Sequence, residues 1–97
     1  MVYISFYLSS IKPKIYIPRQ TVEELVLTDR ITVLADPIND EIILWIPGYK
    51  TIDKSHTLSN LPVGFRNLTP GRYMLRKEET TETHRILFFR RFTDEKE

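Results

Sequence analysis

Residues 14–47 read KIYIPRQTVEELVLTDRITVLADPINDEIILWIP. Ile15 and Ile17 alternate with Lys14 and Tyr16, the period of a strand with two different faces. Pro18 has no N–H to give a ladder and ends that strand. Val22, Leu25 and Val26 then fall at i, i+3 and i+4, one face of a helix over 20–26. Two turns are too few to hold without tertiary packing. Ile31–Leu34 is a strand, 36–40 (Asp-Pro-Ile-Asn-Asp) a turn by composition, and Glu41–Ile46 a returning strand, which together make a hairpin. A strand–helix–hairpin unit of this size buries its apolar faces poorly alone. It therefore predicts a partner, either a second chain or a second copy within this one.

Working outward, residues 2–8 form an aromatic and β-branched strand punctuated by Ser9-Ser10. Residues 47–60 are polar, without a clear period, and read as a linker. Leu61-Pro62 reopens structure and Leu68-Thr69-Pro70-Gly71 turns the chain into a strand over 72–76. A charged loop over 77–83 and a strand over 84–92 follow. Set side by side, the two halves share an order: Ile-Pro or Leu-Pro, a short segment, Leu-Thr, strand, polar turn, strand. Proline and leucine stand nine residues apart in the first half (18 to 27) and six in the second (62 to 68), so the second lacks about a helical turn. The alternative is two unrelated hairpins. The repeat gives one domain over 1–97, with a first hairpin unit over 11–47, a linker over 48–60, a degenerate second unit over 61–92 and a frayed tail over 93–97.

Ninety-seven residues fit one small domain, and a chain of this size buries only about 60–65% of its unfolded surface, which favours association. No cysteine is present, so disulfides and thiolate metal sites are excluded. The apolar run at 2–8 is far shorter than the roughly 20 residues a membrane helix needs. It also lacks the basic flank of a signal peptide, so a cytoplasmic location is expected. Net charge is +1, with five basic and six acidic side chains in 1–50 and nine and seven in 51–97. A nucleic-acid binder is usually more basic than this.

The first unit resembles the AbrB/MazE/SpoVT family of swapped-hairpin DNA-binding domains. Lys14 stands at the basic position before the strand, Ile17-Pro18 match the Ile-Pro, Leu25 and Leu27 match the apolar pair at the helix end, and residues 40–44 match the closing segment. Residues 61–92 echo the pattern more weakly. Basic residues that many members carry on the short helix are here Val22 and Glu23. The resemblance implies a mostly β fold with one short helix, an AbrB-type swapped-hairpin β-barrel with two hairpin units per chain. Interleaved hairpins would cover strand edges that otherwise template aggregation. Two chains would swap as a homodimer, or one chain would form an intrachain pseudo-dimer. The implied function is a transcriptional regulator bound to double-stranded DNA through phosphates and DNA shape. The alternative is a protein-interaction or antitoxin-like module on the same fold.

Lys12, Lys14, Arg19 and Arg66 are the candidate phosphate contacts, against the plainer reading of solvated surface charges. Arg85, Arg90 and Arg91 interleave with Phe88, Phe89 and Phe92, which could suit single strands. An edge strand with arginine outward explains the same pattern. Asp53, His56 and Ser59 recur at intervals of three but lie in the linker, and a catalytic triad is recognised by geometry rather than by closeness in sequence. Two histidines without cysteine do not make a zinc site, which wants about four ligands. Three scattered glycines make no phosphate loop. Trp45 lies on a strand and suits core or subunit packing. No enzyme activity, cofactor, metal, small-molecule substrate or membrane partner is expected.

Overall fold

A computed structural model describes residues 2–10 and 12–92. Seven strands form one antiparallel sheet: β1 (Tyr3–Ser9), β2 (Lys12–Tyr16), β3 (Ile31–Asp36), β4 (Glu41–Lys50), β5 (Thr57–Leu58), β6 (Gly71–Thr80) and β7 (Arg85–Arg91). Helix α1 (Arg19–Leu25) joins β2 to β3, and a 3-10 helix (Val63–Asn67) joins β5 to β6. The strand order is β3-β4-β7-β6-β1-β2-β5, and the sheet curls into a half-barrel with β3 and β5 as its edges. Among the described residues the fold is thus mostly β, with one α-helix and three hairpins, β1–β2, β3–β4 and β6–β7.

Alternation along the strands fills the concave side. Ile4, Phe6, Ile15, Val33, Ile42, Leu44, Tyr73, Leu87 and Phe89 are buried. From the connections, Phe65 of the 3-10 helix packs on Phe6 with ring centroids 5.6 Å apart. The two hairpin units meet inside one chain. Strand β4 of the first pairs with β7 of the second, Leu44 facing Leu87, and β5, from the segment between them, pairs with β2, Ile15 facing Leu58 at the same interval along the chain. Pro18 and Pro62 precede the two helical segments in nearly the same conformation (φ −57°, ψ 149° and φ −59°, ψ 159°).

Several expectations change. The segment read as a linker is part of the sheet: β4 runs on to Lys50 and β5 closes against β2. The charged loop at 77–83 is strand as far as Thr80, because Lys77–Thr80 pair with Phe88–Arg85. Strand β7 is no edge. It lies between β4 and β6, so its arginines guard no open ladder. The predicted helix face also shifts. Thr21 and Leu25 are buried, whereas Val26 is 61% exposed because α1 ends at Leu25 and Val26 turns to φ 54°. The leucine after it, Leu27, returns its N–H to the Val22 carbonyl, and Val26 its own to Glu23, closing the helix. Thr21 is turned inward by a hydrogen bond: its hydroxyl donates to the Tyr3 carbonyl at 2.6 Å and accepts from the Tyr3 N–H at 3.3 Å. The tail at 93–97 lies outside the described residues.

Candidate nucleic-acid interface

Strand β2 starts with Lys12-Pro13-Lys14, and β5 is only two residues long. Beyond the Ile15–Leu58 pair, the start of β2 therefore has no strand on that side among the described residues. Pro13 suits this place, since it has no N–H to leave unsatisfied at an edge. The chain leaves β5 through Ser59 and Asn60, the latter at φ 54°, and bends away toward the 3-10 helix. A groove of about 420 Å³ opens between these walls, with Lys12 and Lys14 on one side, Ser59 and Asn60 on another, and Val63 and Arg66 at its end. The Lys50 ammonium donates to the Ser59 carbonyl at 3.0 Å and ties that wall to the end of β4.

Three of the four residues singled out for phosphate contact thus line one groove: Lys12, Lys14 and Arg66. The fourth does not. Arg19 lies on the exposed side of α1, with its Nε 3.0 Å from a Glu23 carboxylate oxygen. Among the described residues Lys12, Lys14 and Arg66 form no ion pair, whereas Lys77, Arg85, Arg90 and Arg91 pair with Glu79, Glu78, Glu41 and Asp40. Pairing removes Arg85–Arg91 as a free cationic stretch.

The net charge hides a separation. Residues 1–22 and 54–77 contain no Asp or Glu, yet carry eight of the 14 basic side chains. All 13 acidic residues share the remainder with six basic ones. In the fold these two runs supply β1, β2, β5, the 3-10 helix and the first part of β6, which are contiguous in the order β6-β1-β2-β5. One half of the sheet is therefore cationic, and the other is acidic with its arginines neutralised. Counting charge by halves of the chain, at residue 50, mixes the two. Locating the acid-free runs would have separated them.

The other candidates resolve into structure. The Asp53 carboxylate accepts from the Ser55 hydroxyl at 2.7 Å and from the Ser55 and Thr57 N–H groups. Those bonds, the Ser55 hydroxyl first, hold its pKa below the usual carboxylate value. His56 turns its Nδ1 to the Ile17 carbonyl at 3.2 Å and gives its N–H to the Asp53 carbonyl, so Asp53 and His56 belong to a turn, while Ser59 lies beyond β5 on the groove wall. Among the described residues no group of His, Asp and Glu is placed to hold a metal ion, and no helix is long and apolar enough to cross a membrane. Trp45 is on the convex face, 37% exposed, edge-on to His84 at 5.5 Å. Comparison with family models, curated proteins and solved structures gives no match for this chain.

Proposed function

We propose that the protein is a non-enzymatic DNA-binding regulator that grips the phosphate backbone with the Lys12–Lys14–Arg66 groove. The observation that carries this reading is the convergence of three cations, none with an acidic partner among the described residues, on a half of the sheet whose strands β1, β2 and β5 lack acidic residues. Cations that no carboxylate neutralises remain available to phosphate, and their number sets the salt dependence. The resemblance of residues 14–47 to swapped-hairpin DNA-binding domains points the same way. The pairing of both hairpin units within one chain supports an intrachain pseudo-dimer over a swapped homodimer, and light scattering distinguishes 11.5 kDa from twice that mass.

Three phosphate contacts give a slope of log affinity against log salt near −2.7, since each contributes roughly 0.9. Titration of a labelled duplex into the protein at several salt concentrations measures it. Lys12→Glu, Lys14→Glu and Arg66→Glu together should remove binding while the melting temperature holds. Unaltered affinity in that variant would discard the reading.

A protein partner is favoured by one separate observation. Leu34, Trp45 and Tyr49, the last 88% exposed, line a cleft on the acidic half. Aromatic residues of this kind anchor protein interfaces. Retention of a partner by the groove variant, and its loss in Trp45→Ala, would transfer the main role to that side.

A further inference from the structure

The convex face of the cationic half carries an arrangement that the groove does not use. Along β1 the buried Ile4 and Phe6 alternate with Tyr3, Ser5 and Tyr7, which point the other way. On β2 the buried Ile15 leaves Lys14 and Tyr16 outward, and on β6 the buried Tyr73 leaves Arg72 and Met74 outward. The register fixes who stands beside whom. Tyr7 faces Lys14, Ser5 sits between Tyr16 and Arg72, and Tyr3 faces Met74. Tyr16 is hence the diagonal neighbour of both Tyr3 and Tyr7, at a spacing of about 7–8 Å between such positions. Small Ser5 separates the rings. Tyr7 and Tyr16 are 38% and 39% exposed, and the Arg72 guanidinium lies 4.7 Å from the Tyr3 ring centroid.

We propose that this face is a stacking platform for single-stranded nucleic acid. The inference rests on the reading that the cationic half binds nucleic acid, and it names the form bound. Three features lead to it. Tyrosine rings held on paired strands of a formed sheet offer flat apolar faces at little entropic cost. Bases stack on such rings whatever their sequence, because every base has a π-face. Lys14 and Arg72, neither in an ion pair among the described residues, stand among the rings to meet the phosphates between stacked bases. No Asp or Glu occurs anywhere on β1, β2 or β5, so nothing on those strands repels a polyanion. In a duplex the bases are already stacked on each other and cannot reach the tyrosines. The platform therefore rewards a single strand, whereas the groove accepts the phosphates of either form. Lys14 both lines the groove and faces Tyr7, so one strand could pass from rings to groove. The alternation of arginine and phenylalanine on β7 does not compete for this role, since its arginines are paired and Phe89 is buried.

The test is fluorescence anisotropy on the full chain with two labelled probes, an oligothymidine of about 12 nucleotides and a duplex of the same length. Tyr7→Ala combined with Tyr16→Ala should weaken the single strand at least tenfold and leave the duplex within about twofold, as stacking contributes about tenfold per base. Tyr7→Phe with Tyr16→Phe keeps the rings and should restore single-strand affinity, which also covers an alanine variant that fails to fold. Unchanged single-strand affinity in a folded alanine variant, or a phenylalanine variant as weak as the alanine one, overturns the platform. Equal loss on both probes overturns it too, because duplex has no access to the rings. Loss of both probes in the Lys12, Lys14 and Arg66 variant, with the tyrosine variants inert, leaves the groove standing and removes the platform alone. Binding of neither probe by the unaltered protein removes both.

Discussion

The two hairpin units follow one plan with different contents. In the first, Pro18 leads into a true α-helix whose Arg19 is neutralised by Glu23. In the second, Pro62 leads into a shorter 3-10 helix whose Arg66 has no acidic partner among the described residues and turns to the groove. The irregularities differ as well. Between Ile31 and Thr32 the β3–β4 register jumps so that Ile31 faces Lys50 while Thr32 faces Trp45. Between Leu75 and Lys77 the β6–β7 register merely skips Arg76. Similar backbone plans therefore do different work: the first unit supplies the longer helix and a tight crossing, the second a free cation and a plain hairpin.

The crossing is the first place to break that difference. Gly48 passes so close to β3 that a Cβ added to it would sit 2.2 Å from the Thr32 backbone nitrogen, and its own N–H donates to the Arg30 carbonyl at 2.8 Å. Backbone cannot yield there as a flexible side chain would. Gly48→Ala should cost about 3 kcal/mol, a loss read from chemical denaturation. Arg76→Ala, at the skipped residue of the second unit and exposed, should change stability by no more than about 0.5 kcal/mol. Equal effects would show that the two irregularities carry the same constraint.

A buried phenol gives the next contrast. Tyr73 sits fully buried at the start of β6 and donates its hydroxyl to the Thr69 carbonyl, where the first unit buries Ile31 at the start of β3. Burial, chiefly, pushes its pKa up to about 12. A phenol raised above its unfolded value is held neutral in the folded state. Its contribution is complete below pH 10, the unfolded value, and is lost as pH rises toward 12. Tyr73→Phe should lose about 1 kcal/mol near neutral pH through the missing hydrogen bond. It should also flatten the alkaline decline between pH 10 and 12, and a decline as steep as the wild type's would assign it to other groups.

The sequence made the mostly β fold legible because β-branched and aromatic residues gather in short runs bounded by turn residues. Ile15 could be placed by its alternation with Lys14 and Tyr16, whereas the unbroken apolar runs over 42–46 and 86–89 mark strands without showing which side faces the core. It misled at positions decided by pairing across the sheet. Thr57-Leu58 is too short to show a period, and Lys77–Thr80 is polar because both its faces are exposed, so each read as loop. The order of strands is non-local, and hence β7 looked like an edge. The groove was legible as residue types but not as a place: Lys12 and Lys14 meet Arg66 only because β5 ends early. The tyrosine face went unread for a similar reason, since Tyr3, Tyr7 and Tyr16 lie on strands whose register no local pattern fixes.

The helix end allows a gentler change. Val26 holds φ 54° and ψ 57°, a left-handed conformation that a β-branched residue adopts at a cost and glycine freely. Its side chain is 61% exposed, so little packing would be lost. Val26→Gly should therefore stabilise the protein by about 1 kcal/mol, or roughly 4–8 °C in melting temperature at this size. The corresponding residue after the 3-10 helix, Leu68, is extended at φ −90° and buried, so Leu68→Gly should destabilise instead. Opposite signs at the two residues that follow the helices would show that the helix ends, and not only the helix lengths, diverged between the units.

The smallest effect bears most on function. Arg19 and Arg66 follow Pro18 and Pro62 by one and four residues, and both are exposed. The ion pair of Arg19 with Glu23 joins two well-solvated side chains, a kind of contact that contributes about 0.3–0.5 kcal/mol. Arg19→Ala should cost no more than that in stability and should leave duplex affinity and its salt slope unchanged, because Glu23 already occupies the charge. Arg66→Ala should leave stability alone, yet lower the magnitude of the salt slope by about 1, the signature of one lost phosphate contact. The reverse outcome, a slope that falls with Arg19 and holds with Arg66, would move the binding surface from the groove to the exposed side of α1. It would also mean that a carboxylate at 3.0 Å does not withhold a guanidinium from DNA.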